Sequence, residues 1–220
     1  MSIKENITQI HEQVRQTAAQ WGRDHNDIHL VAVSKRQTKD KIQAALDAGH
    51  RLFGENKVQE ALEHWEGIKP QYLDLKLHLI GALQTNKIKD ALKIFDCIET
   101  IDREKLARKL STELKAQNRT IPCFIQVNIG EEEQKSGISP QEFPEFLGFC
   151  QNDCALDIRG LMCIPPAGEP AAIYFALLQK MAREHGLPNL SMGMSADFKK
   201  SIPLGATHIR IGTAIFGDRL

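Results

Sequence analysis

Three things are scarce in this sequence of 220 residues: aromatic side chains, a surplus of charge of either sign, and long apolar runs. Aromatic residues make up 6% of the chain, so a folded core has to be built from aliphatic side chains. Lysine and arginine together number 28, as do aspartate and glutamate, which removes the simplest support for a nucleic-acid partner. With 42% hydrophobic and 25% charged residues, the composition is that of a globular chain.

Membrane spans, disulfides and metal sites are also missing from the pattern. No stretch approaches the roughly 18 apolar residues of a membrane span, and the polar N-terminus does not resemble a signal peptide. The five cysteines are odd in number and lie mostly in apolar runs, which indicates reduced, buried thiols. Cys150 and Cys154 lack two further ligands at short spacing, so we expect no metal site. These absences predict a cytoplasmic protein with no membrane partner.

The chain length predicts a single domain over residues 1–220. Apolar residues spaced three and four apart predict an amphipathic helix from Asn6 to Trp21. After it, eight short aliphatic runs alternate with segments of helical composition. The predicted strands are 29–34, 51–55, 77–81, 97–101, 122–129, 157–164, 189–194 and 208–217.

Alternating strands and helices, with strands apolar on both faces, indicate a parallel sheet. Eight such strands predict an α/β fold, a single (β/α)8 TIM barrel with an extra N-terminal helix. The alternative is an open doubly wound sheet. Its dinucleotide fingerprint is absent, because the first strand is followed by SKRQTKD, which has no glycine.

In a barrel of this kind, functional groups lie at the carboxyl ends of the strands. Lys35 directly follows the first strand, where apolar surroundings would favour a free amine suited to Schiff-base chemistry. Ser195 follows the seventh strand near a predicted helix start that favours an anion, and Gly212 and Thr213 belong to the predicted eighth strand. The alternatives are that Lys35 is an ordinary loop lysine and that the last two segments are a tight turn and core.

A lysine that faces a phosphate cup on two neighbouring strands suggests pyridoxal 5′-phosphate as the cofactor. The aldehyde needs an amine, and the phosphate needs amides and hydroxyls. The ring nitrogen needs a partner, for which Arg210 is placed between the cup and Lys35. Because arginine keeps its proton, it would hold that nitrogen unprotonated and weaken the cofactor as an electron sink.

Seven sequence blocks resemble, in order, the signature blocks of the pyridoxal-phosphate homeostasis family, the YggS/PROSC proteins. They are VAVSK (31–35), FGEN (53–56) with Gln59 and Glu60, HLIGALQTNK (78–87), QVNIGEEEQKSG (126–137), GLMCIPP (160–166), LSMGMSADF (190–198) and GATHIRIGTAIFG (205–217). The resemblance implies a fold-type-III barrel like the N-terminal domain of alanine racemase, with Lys35 bound to the cofactor as an aldimine. It also implies that Arg210 faces the pyridine nitrogen, that Asn56 lies beside the ring, and that Ser195, Gly212 and Thr213 hold the phosphate.

The family is not known for turnover of its own, and the sequence offers a reason. Racemisation needs acid/base groups on both faces of the cofactor, and Lys35 serves only one. In alanine racemase the other is a tyrosine from a further C-terminal domain, whereas this chain ends at Leu220 and its Tyr72 and Tyr174 do not follow strands. His78 and His208 are expected to be core or rim histidines.

We therefore expect a non-catalytic protein that holds pyridoxal phosphate and takes part in its intracellular homeostasis. Its expected partners are the cofactor and apo-enzymes that use it, and it is expected to be a monomer. The alternatives are an amino-acid racemase of weak activity and a pure partner-binding module.

Overall fold

The computed structural model describes residues 1–217 and contains, within them, eight strands and nine α-helices. The strands are β1 (His29–Val33), β2 (Leu52–Glu55), β3 (Lys76–Leu79), β4 (Cys97–Ile101), β5 (Pro122–Val127), β6 (Asp157–Cys163), β7 (Asn189–Met194) and β8 (His208–Ile211). The helices are α1 (Ile3–Gln20), α2 (Lys39–Asp47), α3 (Val58–Trp65), α4 (Ile88–Ile94), α5 (Glu104–Ala116), α6 (Phe143–Gly148), α7 (Ala171–Glu184), α8 (Phe198–Ser201) and α9 (Thr213–Phe216). The end of the predicted domain, at Leu220, lies outside the described residues.

The eight strands pair in parallel and in chain order, and β8 closes the sheet onto β1. Closure is in register over four residue pairs, from His29 opposite His208 to Ala32 opposite Ile211. Each strand is followed by a helix, and α1 precedes the first strand. The predicted (β/α)8 barrel is confirmed, and the open doubly wound alternative is excluded.

The extra helix α1 covers the junction at which the barrel closes. It packs against α2 and α9, and Asn6 Nδ2 donates to the carbonyl of Ile215 at 2.8 Å. Its start lies at Ile3, three residues before the predicted start, because Ser2 and Glu5 form a reciprocal capping box. The apolar side chains that α1 buries are Ile7, Ile10, Val14 and Ala18.

Contacts between strands that are not neighbours identify the side chains inside the barrel. The ring of His208 in β8 lies 5.8 Å from that of His78 in β3 and 5.3 Å from that of Phe124 in β5. Ser191 in β7 donates to Glu99 in β4 at 2.5 Å. These contacts cross the interior, which is therefore rich in polar side chains.

The layer between strands and helices is aliphatic, as the scarcity of aromatic residues predicts. One continuous apolar cluster covers the outside of the sheet from α1 to α9. Its few aromatic members include Phe53 and Trp65, whose rings lie 4.6 Å apart between β2 and α3. Phe175 of α7 is fully buried in the same layer.

The prediction of a strand over 208–217 is wrong in its second half. Strand β8 ends at Ile211, and residues from Thr213 onward form α9. A short apolar run such as AIF fits a buried strand and a buried helix equally well by periodicity. Thr213 is therefore the first residue of a helix, and Gly212 is its N-cap.

The cysteines agree with the prediction, because all five are free and buried. Burial raises the pKa of Cys163 and of Cys150 to about 12, so these thiols stay protonated. No helix among residues 1–217 combines the length and the apolar character that crossing a lipid bilayer requires.

Candidate functional site

The six residues predicted for the site lie at the carboxyl ends of four strands that are consecutive around the closed barrel. Ser195 follows β7, and Lys35 follows β1 by two residues. Asn56 follows β2, and Arg210, Gly212 and Thr213 lie in or after β8. The closure of β8 onto β1 brings the segment after β8 beside the segment after β1. The site spans half of the barrel mouth.

Lys35 is half-buried, in a loop whose neighbouring residues are both held by acids. On one side, Ser34 Oγ donates to Glu55 Oε1 at 2.7 Å. On the other side, the backbone N–H of Arg36 donates to the Glu60 carboxylate. Arg36 has a φ of +57°, a left-handed conformation that a non-glycine residue keeps only when its surroundings hold it. The loop is thus fixed on both sides of Lys35.

The acid Glu55 is itself fixed by helix α3. Its Oε1 accepts from His64 Nδ1 at 3.0 Å and from Trp65 Nε1 at 3.1 Å, while its Oε2 is buried without a hydrogen-bond partner among residues 1–217. The hydrogen bond to Glu55 raises the pKa of His64. Helix α3 is therefore a rigid support for the Lys35 loop.

The predicted anion cup is formed by the segment after β7 and the start of α9. Ser195 Oγ lies 3.5 Å from the backbone nitrogen of Ala214, which donates to it. Ser195 is half-buried and Thr213 is exposed, so both hydroxyls stand at the mouth. The amide beside Ser195 belongs to the helix after β8, whereas the sequence predicted the helix after β7. The first turn of a helix presents N–H groups without intrahelical partners.

Arg210 points into the barrel and is only 4% exposed. Its Nη1 donates to Ser191 Oγ at 2.7 Å and its Nη2 to the carbonyl of Cys163 at 2.8 Å. Ser191 Oγ donates in turn to Glu99 Oε2, and His78 Nδ1 donates to Glu99 Oε1 at 2.6 Å. The guanidinium is thus anchored to two strands and linked to a buried carboxylate.

The buried histidines are satisfied core residues, as the sequence predicts. Besides its bond to Glu99, the His78 ring lies 5.8 Å from the His208 ring within the interior, at an angle of 32°. Burial lowers the pKa of His208 to about 3, so this imidazole is neutral, and Thr207 Oγ1 lies 2.9 Å from its Nδ1. Neither imidazole stands at the barrel mouth.

Sequence reasoning missed the roles of Glu99 and Ser191. The one available signal was a charged residue inside the apolar run CIETI, and Glu99 is fully buried there. An acid at that place in a buried strand needs partners from other strands, because an unpaired buried charge is costly. Which strands supply them cannot be read from the spacing.

A cavity of about 270 Å³ occupies the other half of the barrel mouth. Its walls include Asn56 and Gly81 on one side and Gln126 and Asn128 on the other. Asn56 is common to this cavity and to the predicted site, and its buried Oδ1 has no hydrogen-bond partner in the described part of the chain.

The prediction that the chain binds no metal stays a prediction. Among the described residues there are two clusters of three possible metal ligands, and within each cluster the ligand atoms lie within 4.8 Å of one another. They are His78, Cys97 and Glu99 inside the barrel, and Glu55, Glu60 and His64 between β2 and α3. Most of these side chains already take part in the hydrogen bonds described above.

The two tyrosines are both engaged away from the six predicted residues. Tyr72 precedes β3, accepts from Gln43 Nε2 at 3.0 Å and lies under the Arg51 guanidinium. Tyr174 in α7 donates to the Glu169 carboxylate.

Comparison with known proteins identifies the family of the chain. The sequence model of the family described as alanine racemase, N-terminal domain, matches residues 3–220. The pyridoxal phosphate homeostasis protein of Vibrio cholerae is 40% identical over 229 residues, which cover 99% of this chain and 97% of that protein. The protein of the same name in Pasteurella multocida is 36% identical, and the aligned residues cover 100% of this chain and 98% of that protein.

Solved structures give the same result. PipY of Synechococcus elongatus without PLP is 33% identical, with a TM-score of 0.88 over 98% of this chain and 100% of that one. PipY with PLP bound is 31% identical, with a TM-score of 0.84 and the same coverage. An alanine racemase of Clostridium difficile shares the fold at 13% identity, with a TM-score of 0.74 over 99% of this chain and 56% of that one. The chain therefore belongs to the alanine racemase N-terminal-domain family and, within it, to the pyridoxal phosphate homeostasis proteins.

Proposed function

We propose that the protein binds pyridoxal 5′-phosphate, holds it covalently through the amine of Lys35, and takes part in the homeostasis of this cofactor without turnover. The proposal rests on one observation: Lys35, Arg210 and Ser195 lie at the carboxyl ends of three adjacent strands. Full-length relatives named pyridoxal phosphate homeostasis proteins support it.

Two features of the protein fit this cofactor. A Cβ added to Gly212 would meet Val33 at an ordinary 3.5 Å, so packing within the protein does not require glycine there. A ligand lying against the backbone would require it. The buried Asn56 Oδ1 has no partner among the described residues, as expected of an acceptor kept for a ligand.

In the proposed assignment each residue has a separate task. When bound, the cofactor supplies an aldehyde for the Lys35 amine and an aromatic ring that accepts electrons. Ser195, Gly212 and Thr213 bind the phosphate, with the amides at the start of α9 as further donors. Arg210 donates to the ring nitrogen and keeps it unprotonated, while Asn56 lies beside the ring.

We base the expected lack of turnover on the surroundings of the two tyrosines and of His208. Tyr72 and Tyr174 are bonded elsewhere, and His208 is a buried, neutral imidazole inside the barrel. Racemisation needs a proton donor on the face opposite Lys35. Among the described residues, neither tyrosine is arranged for that task.

Borohydride reduction tests the covalent assignment. Loaded wild-type protein, reduced and digested, is expected to carry the cofactor mass on the peptide that contains Lys35. Lys35→Ala is expected to lose this label, whereas Lys39→Ala, an exposed lysine four residues away, keeps it. A wild-type level of label in Lys35→Ala would show that another lysine binds the cofactor.

The weak-racemase alternative has its own measurement. Exchange of the α-proton of an amino acid for deuterium, followed by NMR with the loaded protein, is expected to stay at the rate of free cofactor with amino acid. Exchange at an enzyme-like rate would replace the carrier assignment by the enzymatic one. Transfer to apo-enzymes, a monomeric state and a cytoplasmic location stay predictions.

A further inference from the structure

The interior of the barrel contains a buried acid that the proposed cofactor contacts do not use. Glu99, in the middle of β4, is fully buried and accepts from His78 Nδ1 and from Ser191 Oγ. Ser191 Oγ also accepts from Arg210 Nη1 at 2.7 Å. One hydroxyl group therefore separates the carboxylate from the guanidinium.

These bonds fix the plane of the guanidinium as well as its place. Arg210 donates through Nη1 to β7 and through Nη2 to the carbonyl of Cys163 at the end of β6. Two bonds on different nitrogens of a planar group define its orientation. Because arginine carries five N–H donors, others remain for a ligand at the mouth.

The Glu99 carboxylate is a buried negative charge that interacts with the Arg210 guanidinium through Ser191. The titratable groups that face Glu99 are His78 from β3, His208 and Arg210 from β8, and Cys97 from its own strand. His208 is neutral because burial lowers its pKa to about 3, and burial raises the pKa of the Cys97 thiol. Burial acts to raise the pKa of Glu99, but the hydrogen bond from His78 and the positive charge of Arg210 outweigh it and lower the pKa to about 2.

We propose that Glu99, acting through Ser191, is a positioning residue that holds the Arg210 guanidinium in the orientation in which it meets the ring nitrogen of the bound cofactor. This inference rests on the proposed function for the identity of the ligand. The hold on Arg210 itself is a property of the protein without cofactor, so the two can be tested separately.

The first experiment uses crystals of the cofactor-free protein. In Ser191→Ala and in Glu99→Gln, the Arg210 guanidinium is expected to leave the orientation fixed by Ser191 and Cys163. The matched control is Asp96→Asn, an acid directly before β4 that binds Lys69 Nζ and the Leu77 amide, both at 2.8 Å. Ser191→Ala keeps the buried charge and tests the link even if Glu99→Gln does not fold. An unmoved guanidinium in the variants that fold would overturn the inference.

The second experiment measures cofactor affinity and the pH titration of the visible absorbance of the loaded protein. Each variant is expected to weaken binding about tenfold, because one oriented donor is lost. In Glu99→Gln the titration midpoint is expected to fall by about one pH unit, because Arg210 then lacks its counter-charge. Asp96→Asn is expected to change neither quantity.

The possible failures are distinguishable. A lower melting temperature with an unchanged affinity and midpoint would mean that Glu99 has only a structural role, and would overturn the inference. Wild-type protein that takes up no cofactor would contradict the proposed function and with it the role of Arg210 toward a ring nitrogen. The crystals would then still decide whether Glu99 and Ser191 hold Arg210.

Discussion

The inside of the barrel and the layer outside it are both buried, but their side chains differ in polarity. Outside the strands, aliphatic side chains form one continuous cluster with the helices. Inside, the central contacts are hydrogen bonds among His78, Glu99, Ser191 and Arg210. Apolar burial is non-directional and tolerant, whereas buried polar groups need every partner in place. Stability therefore resides mainly in the outer layer, whereas the polar side chains of the interior hold the Arg210 guanidinium in place.

The largest expected effect tests the outer layer. Phe175→Ala in α7 removes a fully buried ring and is expected to lower the free energy of unfolding by about 3 to 5 kcal/mol. Ile173→Ala on the same helix, where the side chain is 66% exposed, is the control and should change little. Urea unfolding measures both. A loss below about 1 kcal/mol for Phe175→Ala would mean that the layer repacks and that the contrast is weaker than described.

The second prediction concerns the two hydroxyl groups at the mouth, which belong to Ser195 and Thr213. Ser195→Ala and Thr213→Val are each expected to weaken retention of pyridoxal phosphate by about 1 to 3 kcal/mol, because each removes a hydrogen bond to a charged group. Equilibrium dialysis measures the loss. Thr112→Val, an exposed threonine of α5, should retain the cofactor as the wild type does. Unchanged retention in both mouth variants would place the phosphate elsewhere.

The third prediction uses a histidine of the outer layer. Burial lowers the pKa of His50 from 6.5 to about 4. Between these two pH values His50 is therefore neutral in the folded protein and protonated in the unfolded chain. The stabilisation by neutral His50 is complete above pH 6.5 and is lost as the pH falls towards 4. At pH 5 the loss is expected to be about 2 kcal/mol.

Urea midpoints between pH 8 and pH 5 check this dependence. His50→Gln is expected to flatten the decline, while His25→Gln, at an exposed position, leaves it unchanged. The interior His208 contributes with the same sign, because burial lowers its pKa to about 3. If His50→Gln declines as steeply as the wild type, the acid sensitivity resides in the interior instead.

The smallest expected effect concerns the support of the Lys35 loop from outside the barrel. Glu60→Ala removes the acceptor of the Arg36 N–H and is expected to cost about 1 kcal/mol of stability. Cofactor affinity should fall several-fold, because the loop no longer holds Lys35 in place. Glu63→Ala, an exposed acid of the same helix, is the control. An unchanged affinity for Glu60→Ala would mean that Glu55 alone holds the loop.

Some of this could be predicted from particular residues. Lys35 stood out because a buried strand ends just before it, and that signal is local. The segment IGTAIF was assigned wrongly beyond Ile211, because a short apolar run does not distinguish a strand from a helix. Glu99 was passed over because the sequence does not say that β4 faces β7 across an interior, where a serine and an arginine complete its hydrogen bonds.

Local periodicity and composition were enough to predict the alternation of strands and helices, the aliphatic outer core and the residues at the strand ends. Closure of β8 onto β1, which places Arg210 and Thr213 beside Lys35, depends on contacts between distant parts of the chain. Such contacts also determine which buried polar groups pair across the barrel. The scarce aromatics and balanced charge excluded classes of protein. The opposite charges of Glu99 and Arg210 offset the cost of each other's burial only when the sheet has closed around them, since that cost depends on the neighbours of a charge in space.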